Sequence, residues 1–210
     1  AWWCNTISAP GEEIPWLSIM EKSYPGSIVV NPAGQRFSNE SQNYMAFQQE
    51  TFRKHSEDNP CNPSWQIFDA DFRARYFVGP LYNSKFRPDW MLPKSYERQG
   101  FVVRADTIAE LATRIGVDVD GLAKTVADMN EYARTGVDPE CHRGESAYDR
   151  YYGDPRVTPN PCLGPIDKPP FYAMRVDPGD FGTQGGMVTN ADAQVLHEDG
   201  HVIEGLYAIG

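Results

Sequence analysis

FYAMRVDPGDFGTQGG, residues 171–186, combines an apolar strand pattern with closely spaced glycines. Apolar side chains alternate over residues 171–176, and Pro178-Gly179 is expected to end the strand. Gly185 and Gly186 follow soon after. Glycines let the backbone adopt positive φ and bring its N–H groups against a flat or anionic ligand. The local composition is also typical of a glycine-rich surface turn. This stretch alone therefore supports both a ligand-binding segment and a surface turn.

The residues that follow predict a β-hairpin. GGMVTNADAQVLHEDGHVIEGLYAIG, residues 185–210, places Asp199-Gly200 between apolar runs, which is a strong short-range hairpin signal. In order and length this stretch resembles the return into the FAD-binding domain in flavoproteins of the fumarate reductase and 3-ketosteroid dehydrogenase superfamily.

Two further regions carry the resemblance. PGSIVVNPAGQRFSNE, residues 25–40, is similar to the superfamily's entry into its substrate-capping domain. RGESAYDRYYGDP at 143–155 and PNPCLGPIDKPPFYA at 159–173 resemble the actinobacterial 3-ketosteroid Δ1-dehydrogenase branch more than the fumarate reductases. That branch usually carries Phe-Gly before this Arg-Gly, whereas Cys141-His142 stand here. The departure leaves the local packing open.

The resemblance implies an α+β fold. We expect the substrate-capping domain of a fumarate reductase-like flavoprotein, a small sheet with a helical hairpin, flanked by partial strands of the FAD-binding α/β domain. Residues 1–26 are expected to belong to the FAD-binding domain, residues 27–166 to form the capping domain, and residues 167–210 to return into the FAD-binding domain. Three prolines interrupt residues 1–25, which are expected to be irregular.

The sequence itself predicts the helical hairpin. Asp106 is a candidate cap for a helix with an apolar stripe over residues 108–115, which Gly116 ends. A second helix is expected to begin near Asp118 or Asp120, and Gly136 ends it. Further predicted elements are strands at 27–30, 35–38 and 65–68 and a helix at 42–55.

Composition excludes several classes of function. The chain has 210 residues, a formal net charge of −10 and a pI near 4.8, which argue against binding to nucleic acid or to an anionic membrane surface. No apolar run approaches the roughly 18 residues that cross a bilayer, and AWWCNTISAP at the start lacks signal-peptide features. The 4 cysteines form no CxxC pair, so we expect neither a disulfide framework nor a zinc site, and a cytoplasmic location is the default.

The resemblance implies an FAD-dependent oxidoreductase acting on a CH–CH bond of a steroid-like enone. In the family, a hydride leaves carbon 1 of the steroid for the flavin and a base takes a proton from carbon 2. The resemblance places Tyr44, in NESQNY, over the substrate, and we expect it to be that base. Tyr44 is equally explained as an apolar-face residue of its helix. Phe181 and Thr183 are expected to bind the substrate, and Glu40, Gly185, Gly186 and Gly210 the FAD.

The other charged residues have structural explanations. Fumarate reductases use an arginine of the capping domain as an acid, but Arg143 lies in a different motif. We expect it to form a structural ion pair with one of three nearby acids, Glu145, Asp149 or Asp154. Arg36 is expected to be a hairpin residue. His197 and His201 flank the turn and are expected to face solvent, so no metal site is predicted.

Two motifs of the resembled family are missing from the sequence. It has no GxGxxG after a strand, which would bind the FAD pyrophosphate, and no YPGAG, which carries a second catalytic tyrosine. We therefore expect a fragment that needs flanking segments of the same flavoprotein and binds FAD poorly alone. Two alternatives remain: a related flavoprotein for another enone or unsaturated acid, and a non-catalytic interaction domain whose tryptophans mark a partner surface. The identity of the steroid is not specified, because an apolar pocket distinguishes one methylene weakly.

Overall fold

In the computed structural model, which describes residues 2–182 and 185–209, the longest strand is β6, Phe171–Gly182. Its sheet also contains β1 Trp2–Ile7, β2 Trp16–Ser18, β3 Ser27–Val30, β4 Ser64–Phe68 and β5 Val103–Ala105. The strand order of this six-stranded sheet is β2-β1-β6-β4-β3, and β5 also pairs with β6. All of these pairs are antiparallel. The long strand β6 therefore joins the first residues of the chain to its middle.

The expectation that Pro178-Gly179 ends the strand is wrong. Strand β6 continues through both residues, with Pro178 opposite Asn5 and Gly179 opposite Cys4 of β1. Pairing with β4 stops at Val176, so β6 has a described neighbour on one side only at Pro178. A proline fits a strand position of that kind. Glycine is required next to it, because a Cβ on Gly179 would lie 2.1 Å from the Thr6 methyl carbon.

The expectation that residues 1–25 are irregular is also wrong in part. Strand β1 pairs with β6 and with β2, which returns as its hairpin partner. The Thr6 hydroxyl donates a hydrogen bond of 3.1 Å to the main-chain oxygen of Asp177, 171 positions away. These strands exist because of a partner far along the chain, which local sequence patterns do not reveal.

The helices are α1 Tyr44–Lys54, α2 Ala70–Arg75, α3 Lys94–Arg98, α4 Ile108–Ile115, α5 Val119–Thr135 and α6 Ala147–Tyr151. The predicted α4–α5 hairpin is confirmed, with Gly116 and Gly136 as left-handed C-caps. Asp118 caps α5, whereas the cap of α4 is Thr107 and not Asp106. The periodic apolar stripe and the terminal glycines made this hairpin predictable.

The turn after β3 packs tightly against the start of α5. Gly34 has φ +73°, and a Cβ there would lie 2.3 Å from the main-chain nitrogen of Leu122. A Cβ on Gly121 would lie 2.1 Å from the carbonyl oxygen of Ala33. The predicted strand at 35–38 is reduced to one bridge between Val30 and Arg36, because the chain turns away from β3 toward α1.

The two faces of the sheet bury two separate apolar cores, because successive strand residues point to opposite sides. Ile28 and Ile67 lie in the core that α4 and α5 cover. Val29 and Phe68 lie in the other core, which contains residues of α1 and α2. The result is a mixed α/β arrangement in which one sheet carries helices on both faces.

A second, two-stranded sheet follows β6. Strands β7 Gln194–Leu196 and β8 Val202–Tyr207 form the antiparallel hairpin predicted around Asp199-Gly200. Its last residues are apolar and exposed, with Tyr207 at 61% and Ile209 at 94%. Among the described residues, no helix combines the length and apolar character that crossing a bilayer requires.

Candidate functional site

Tyr44 stands at the first turn of α1. The preceding residue, Asn43, caps the helix, and its side-chain oxygen accepts hydrogen bonds from the main-chain N–H groups of Met45 and Ala46 at 2.8 and 3.4 Å. Tyr44 is half-buried. Its ring centroid lies 5.8 Å from that of Phe181, with 55° between the ring planes. The structure thus brings together two residues that were assigned separately, one as base and one as substrate contact.

A group of tyrosines on α6 borders Tyr44. The side chains of Tyr148 and Asn43 are hydrogen-bonded, and Tyr44 lies close enough to affect the Tyr148 hydroxyl. The Tyr148 ring packs edge-on against that of Tyr152 at 5.5 Å. Burial, and then the proximity of Tyr152, raise the pKa of Tyr148. Sequence reasoning did not assign these residues, although the tyrosine density of residues 148–152 was a usable signal.

Glu40 occupies a different position from the one expected for a cofactor contact. Its side chain is 0% exposed. Its two carboxylate oxygens accept hydrogen bonds from Arg36 at 2.8 and 2.7 Å, from Arg143 at 3.2 Å and from the main-chain N–H of Val29 at 3.2 Å. Burial raises the pKa of Glu40, but the guanidinium groups of Arg36 and Arg143 outweigh burial and hold it below its usual range. Glu40 is therefore enclosed by residues of this chain as an internal anion.

Arg143 is the other large ion of this interior cluster. It is 0% exposed and pairs with Glu40, not with the three acids that the sequence suggested, Glu145, Asp149 or Asp154. Its guanidinium also donates to the carbonyl oxygens of Ser27 at 2.7 Å and Tyr24 at 2.9 Å. Arg36, expected in a hairpin, is a buried ion as well and binds Asp138 at 2.9 Å. The cluster fixes the turn that precedes α1.

Gly185 and Gly186 are exposed, and an ideal Cβ on either would meet no atom within 4 Å. Gly185 has φ +92°. The apolar residues Met187 and Val188 that follow are exposed as well. The expected contact of Gly185 and Gly186 with FAD stays a prediction. The pyrophosphate has no glycine-rich cradle in this sequence. Thr183 and Gly210 lie outside the described residues.

The two histidines of the hairpin turn lie on either side of Asp199. Both His197 and His201 have Nδ1 within hydrogen-bonding distance of its carboxylate oxygen, and their rings stack at 4.7 Å. All three side chains are exposed, as expected for the histidines, and their ligand atoms lie within 4.8 Å of one another. The carboxylate has partners in this arrangement, which accounts for the cluster as a local hydrogen-bonded turn.

A surface cavity of about 620 Å³ lies between β5 and α4, away from Tyr44. Charged side chains, among them Arg98, Arg104 and Arg114, dominate its lining, which contains none of the predicted site residues. An apolar ring system is better matched by the aromatic surface at Tyr44 and Phe181 than by this cavity.

Comparison with known proteins identifies the family. The family model described as the FAD binding domain matches residues 10–210. The chain belongs to this family. FAD, the cofactor that the sequence resemblance implied, is the cofactor of the family.

Two curated relatives show which kinds of dehydrogenase the chain is similar to. Over its whole length, the chain is 42% identical to the 3-oxosteroid 1-dehydrogenase of Mycobacterium tuberculosis (strain ATCC 25618 / H37Rv), of which it covers 37%. It is 40% identical, again over its whole length, to the 4-oxocyclohexanecarboxylate 2-dehydrogenase of Sinomonas cyclohexanicum, of which it covers 36%. The chain thus spans little more than a third of the length of these relatives.

The fold agrees with a solved structure. The chain superposes with a TM-score of 0.91 and 46% identity on the 3-ketosteroid delta1-dehydrogenase from Sterolibacterium denitrificans in complex with 1,4-androstadiene-3,17-dione, covering 99% of this chain and 36% of that one. A flavocytochrome c3 fumarate reductase shares the fold, with a TM-score of 0.57 and 23% identity. The predicted likeness in fold to fumarate reductase-like flavoproteins is confirmed as a mixed α/β arrangement.

Proposed function

We propose that this chain is the substrate-capping part of an FAD-dependent dehydrogenase that desaturates a 3-ketosteroid. The observation that carries the proposal is the pairing of Tyr44 with Phe181 at 5.8 Å within a fold that superposes at a TM-score of 0.91 on a 3-ketosteroid delta1-dehydrogenase. The partly exposed aromatic surface of Tyr44 and Phe181 carries one hydroxyl group, and it suits a flat, apolar substrate with a weakly acidic C–H bond.

In the proposed desaturation, the bound FAD and the residues of this chain have different roles. Bound FAD supplies the acceptor for a hydride from the substrate carbon β to the ketone. The Tyr44 oxygen, as the general base, takes the proton from the neighbouring α carbon, and the electrons of that C–H bond form the new C=C bond. Phe181 packs against the Tyr44 ring, and we assign it to the substrate contact. The helix cap at Asn43 fixes the direction in which the Tyr44 side chain leaves α1.

We also propose revised domain limits. Strand β6 pairs with β4 and β1, so residues 2–7 and 171–182 share a sheet with the segment 27–166 that we assign to the capping domain. We therefore place the return into the FAD-binding domain after Gly182. The exposed apolar end of β8 supports this, because it needs a covering surface. A cytoplasmic location fits the four free thiols.

The test uses a chimaera in which residues 1–210 replace the matching segment of the M. tuberculosis 3-oxosteroid 1-dehydrogenase. We expect it to bind FAD and to desaturate a 3-ketosteroid, and Tyr44→Phe to lower kcat by about 10²-fold or more, the usual contribution of a general base. Tyr82→Phe, at an exposed tyrosine elsewhere, is the control. A folded, FAD-loaded chimaera without dehydrogenase activity, or a Tyr44→Phe variant with unchanged kcat, would refute the proposal.

A smaller cyclic ketone is the second candidate substrate. The observation that favours it is the 40% identity to the 4-oxocyclohexanecarboxylate 2-dehydrogenase, close to the value for the steroid enzymes. Comparing kcat/KM for a 3-ketosteroid and for 4-oxocyclohexanecarboxylate in the chimaera separates the two. The isolated chain is expected to bind FAD poorly, and an absorption band of bound flavin in the purified chain would contradict this.

A further inference from the structure

Lys22 is a buried cation that the proposed chemistry does not use. It lies in the 3₁₀ turn Glu21–Ser23 and is 1% exposed. Its ammonium group donates hydrogen bonds to the carbonyl oxygens of Glu40 at 2.8 Å and Gln42 at 2.7 Å. Both of these partners are main-chain carbonyls and not carboxylates.

The two carbonyls belong to the segment that leads directly into Tyr44. Residues 40–42 immediately precede the helix cap at Asn43. The Ser23 hydroxyl donates to the carbonyl oxygen of Glu40 at 3.1 Å, and Arg143 donates to the Ser41 hydroxyl at 3.0 Å. Lys22 binds this segment at Gln42, which is its last residue before the cap.

The same ammonium group also contacts the helix. Its Nζ lies 5.2 Å from the centroid of the Phe47 ring, within the range of a cation–π interaction. Phe47 is 1% exposed and lies three residues after Tyr44, so it is one helical turn further along α1. One charged group therefore fixes both the approach to Tyr44 and the turn of helix that carries it.

Stability alone is a poor reason for a lysine in this position. Burying an ammonium group costs several kcal/mol, and an apolar side chain of similar volume often serves a core equally well. Burial, and then the neighbouring Arg143, lower the pKa of Lys22 to about 7. Strongly perturbed buried ions of this kind concentrate at functional sites.

We propose that Lys22 is a positioning residue for Tyr44: its ammonium group holds the carbonyls of Glu40 and Gln42 and the ring of Phe47 so that the Tyr44 hydroxyl points at the substrate. The role of Tyr44 rests on the proposed function. The placement of Tyr44 by Lys22 depends on contacts within this chain, and the Lys22 variants test it separately.

The first test uses the chain itself. Lys22→Met removes the charge and the donors while keeping the length, Lys22→Arg keeps both, and Lys124→Met changes an exposed lysine as the control. With ring-labelled tyrosine, and Tyr44→Phe to assign the signal, we expect Lys22→Met to shift the Tyr44 ring resonances and to accelerate amide exchange at residues 42–46. Lys22→Arg and Lys124→Met should resemble the wild type.

The second test uses the chimaera. Lys22→Met is expected to lower kcat by about tenfold or more with KM changed less than about twofold, because misplacing a catalytic group slows the chemical step. Lys22→Arg should restore kcat. A purely structural role predicts reduced stability with unchanged Tyr44 resonances in the folded fraction, and that result would overturn the proposal. If Lys22→Met does not fold, Lys22→Gln replaces it, and Tyr44 resonances equal to those of the wild type would overturn the proposal in the same way.

The two tests keep this inference apart from the proposed function. A Tyr44→Phe chimaera with full activity refutes the role of Tyr44, whatever the Lys22 variants do. Unshifted Tyr44 resonances in Lys22→Met refute the positioning role, even where Tyr44 proves to be the base.

Discussion

Replacing Glu40 by glutamine should destabilise the protein more than almost any other single change to a charged surface or core residue. Glu40 pairs with Arg36 at 2.7 Å and with Arg143 at 3.2 Å, and all three side chains are 0% exposed. Glutamine keeps one acceptor oxygen but turns an NH₂ group toward the guanidinium donors. Arg36 would keep its ion pairs with Asp138 at 2.9 Å and Glu140 at 3.8 Å, whereas Arg143 would lose the carboxylate that it pairs with at 3.2 Å. Breaking a buried ion pair in this way costs about 3–5 kcal/mol, which corresponds to a fall in Tm of about 6–20 °C for a chain of this size.

Urea denaturation at pH 7, followed by circular dichroism, measures this difference. The matched control is Glu50→Gln, which removes an exposed ion pair with Arg53 and should change the free energy of unfolding by no more than about 0.5 kcal/mol. A loss below about 1 kcal/mol in Glu40→Gln would refute the argument, since it would mean that the buried pairs contribute no more than a surface pair.

The effect of pH supplies a second check on the same variant. The folded pKa of Glu40 is lowered, because the two arginines outweigh burial. Its ion pairs therefore stabilise the fold fully above the unfolded value of about 4.3, and this stabilisation is lost as the pH falls through the lower folded pKa. The difference in stability between the wild type and Glu40→Gln should shrink over that acidic range. A difference that stays constant there would contradict the assignment of Glu40 as a buried anion.

Two further predictions test other parts of the structure. Gly34→Ala should lose at least about 2 kcal/mol of unfolding free energy, because its Cβ would lie 2.3 Å from a main-chain nitrogen of α5. The control is Gly100→Ala, because Gly100 has a similar φ of +68° and no atom within 4 Å of an ideal Cβ. This variant should lose only the unfolding free energy that corresponds to the left-handed backbone strain. Equal losses of unfolding free energy for the two variants in urea titrations would contradict the close packing at Gly34. Burial raises the pKa of the Cys141 thiol to about 12, so it should react with iodoacetamide at pH 8 about a hundredfold or more slowly than a free cysteine. Unfolding in urea should remove this protection, and fast alkylation of the folded protein would show that the thiol is not shielded.

Local signals in the sequence were sufficient for the helical hairpin but not for the sheet. The stripe over residues 108–115 and the glycines at 116 and 136 specify α4 and α5 through contacts within a few turns. Strand β1 has no such signal, because its partner lies in β6 at the other end of the chain. The same pairing explains why Pro178 does not end β6, which no local rule could anticipate.

The residues of the candidate site were also only partly predictable from the sequence. Tyr44 and Phe181 were identified through resemblance to a family, and only the fold shows that their rings touch. Glu40 was assigned to the FAD through the resemblance, and the sequence did not reveal that its carboxylate is enclosed with Arg36 and Arg143. Lys22 gave no sequence signal at all, since a single lysine next to a glutamate is typical of an exposed turn.

The pairing of β1 with the end of β6 sets the order in which the molecule can assemble. During synthesis, residues 2–7 are made long before Asp177 exists, so β1 has only its hairpin partner β2 to pair with while α4 and α5 form from neighbouring residues. The edge of β1 that β6 later covers is therefore open to other strands until residues 177–182 have been made.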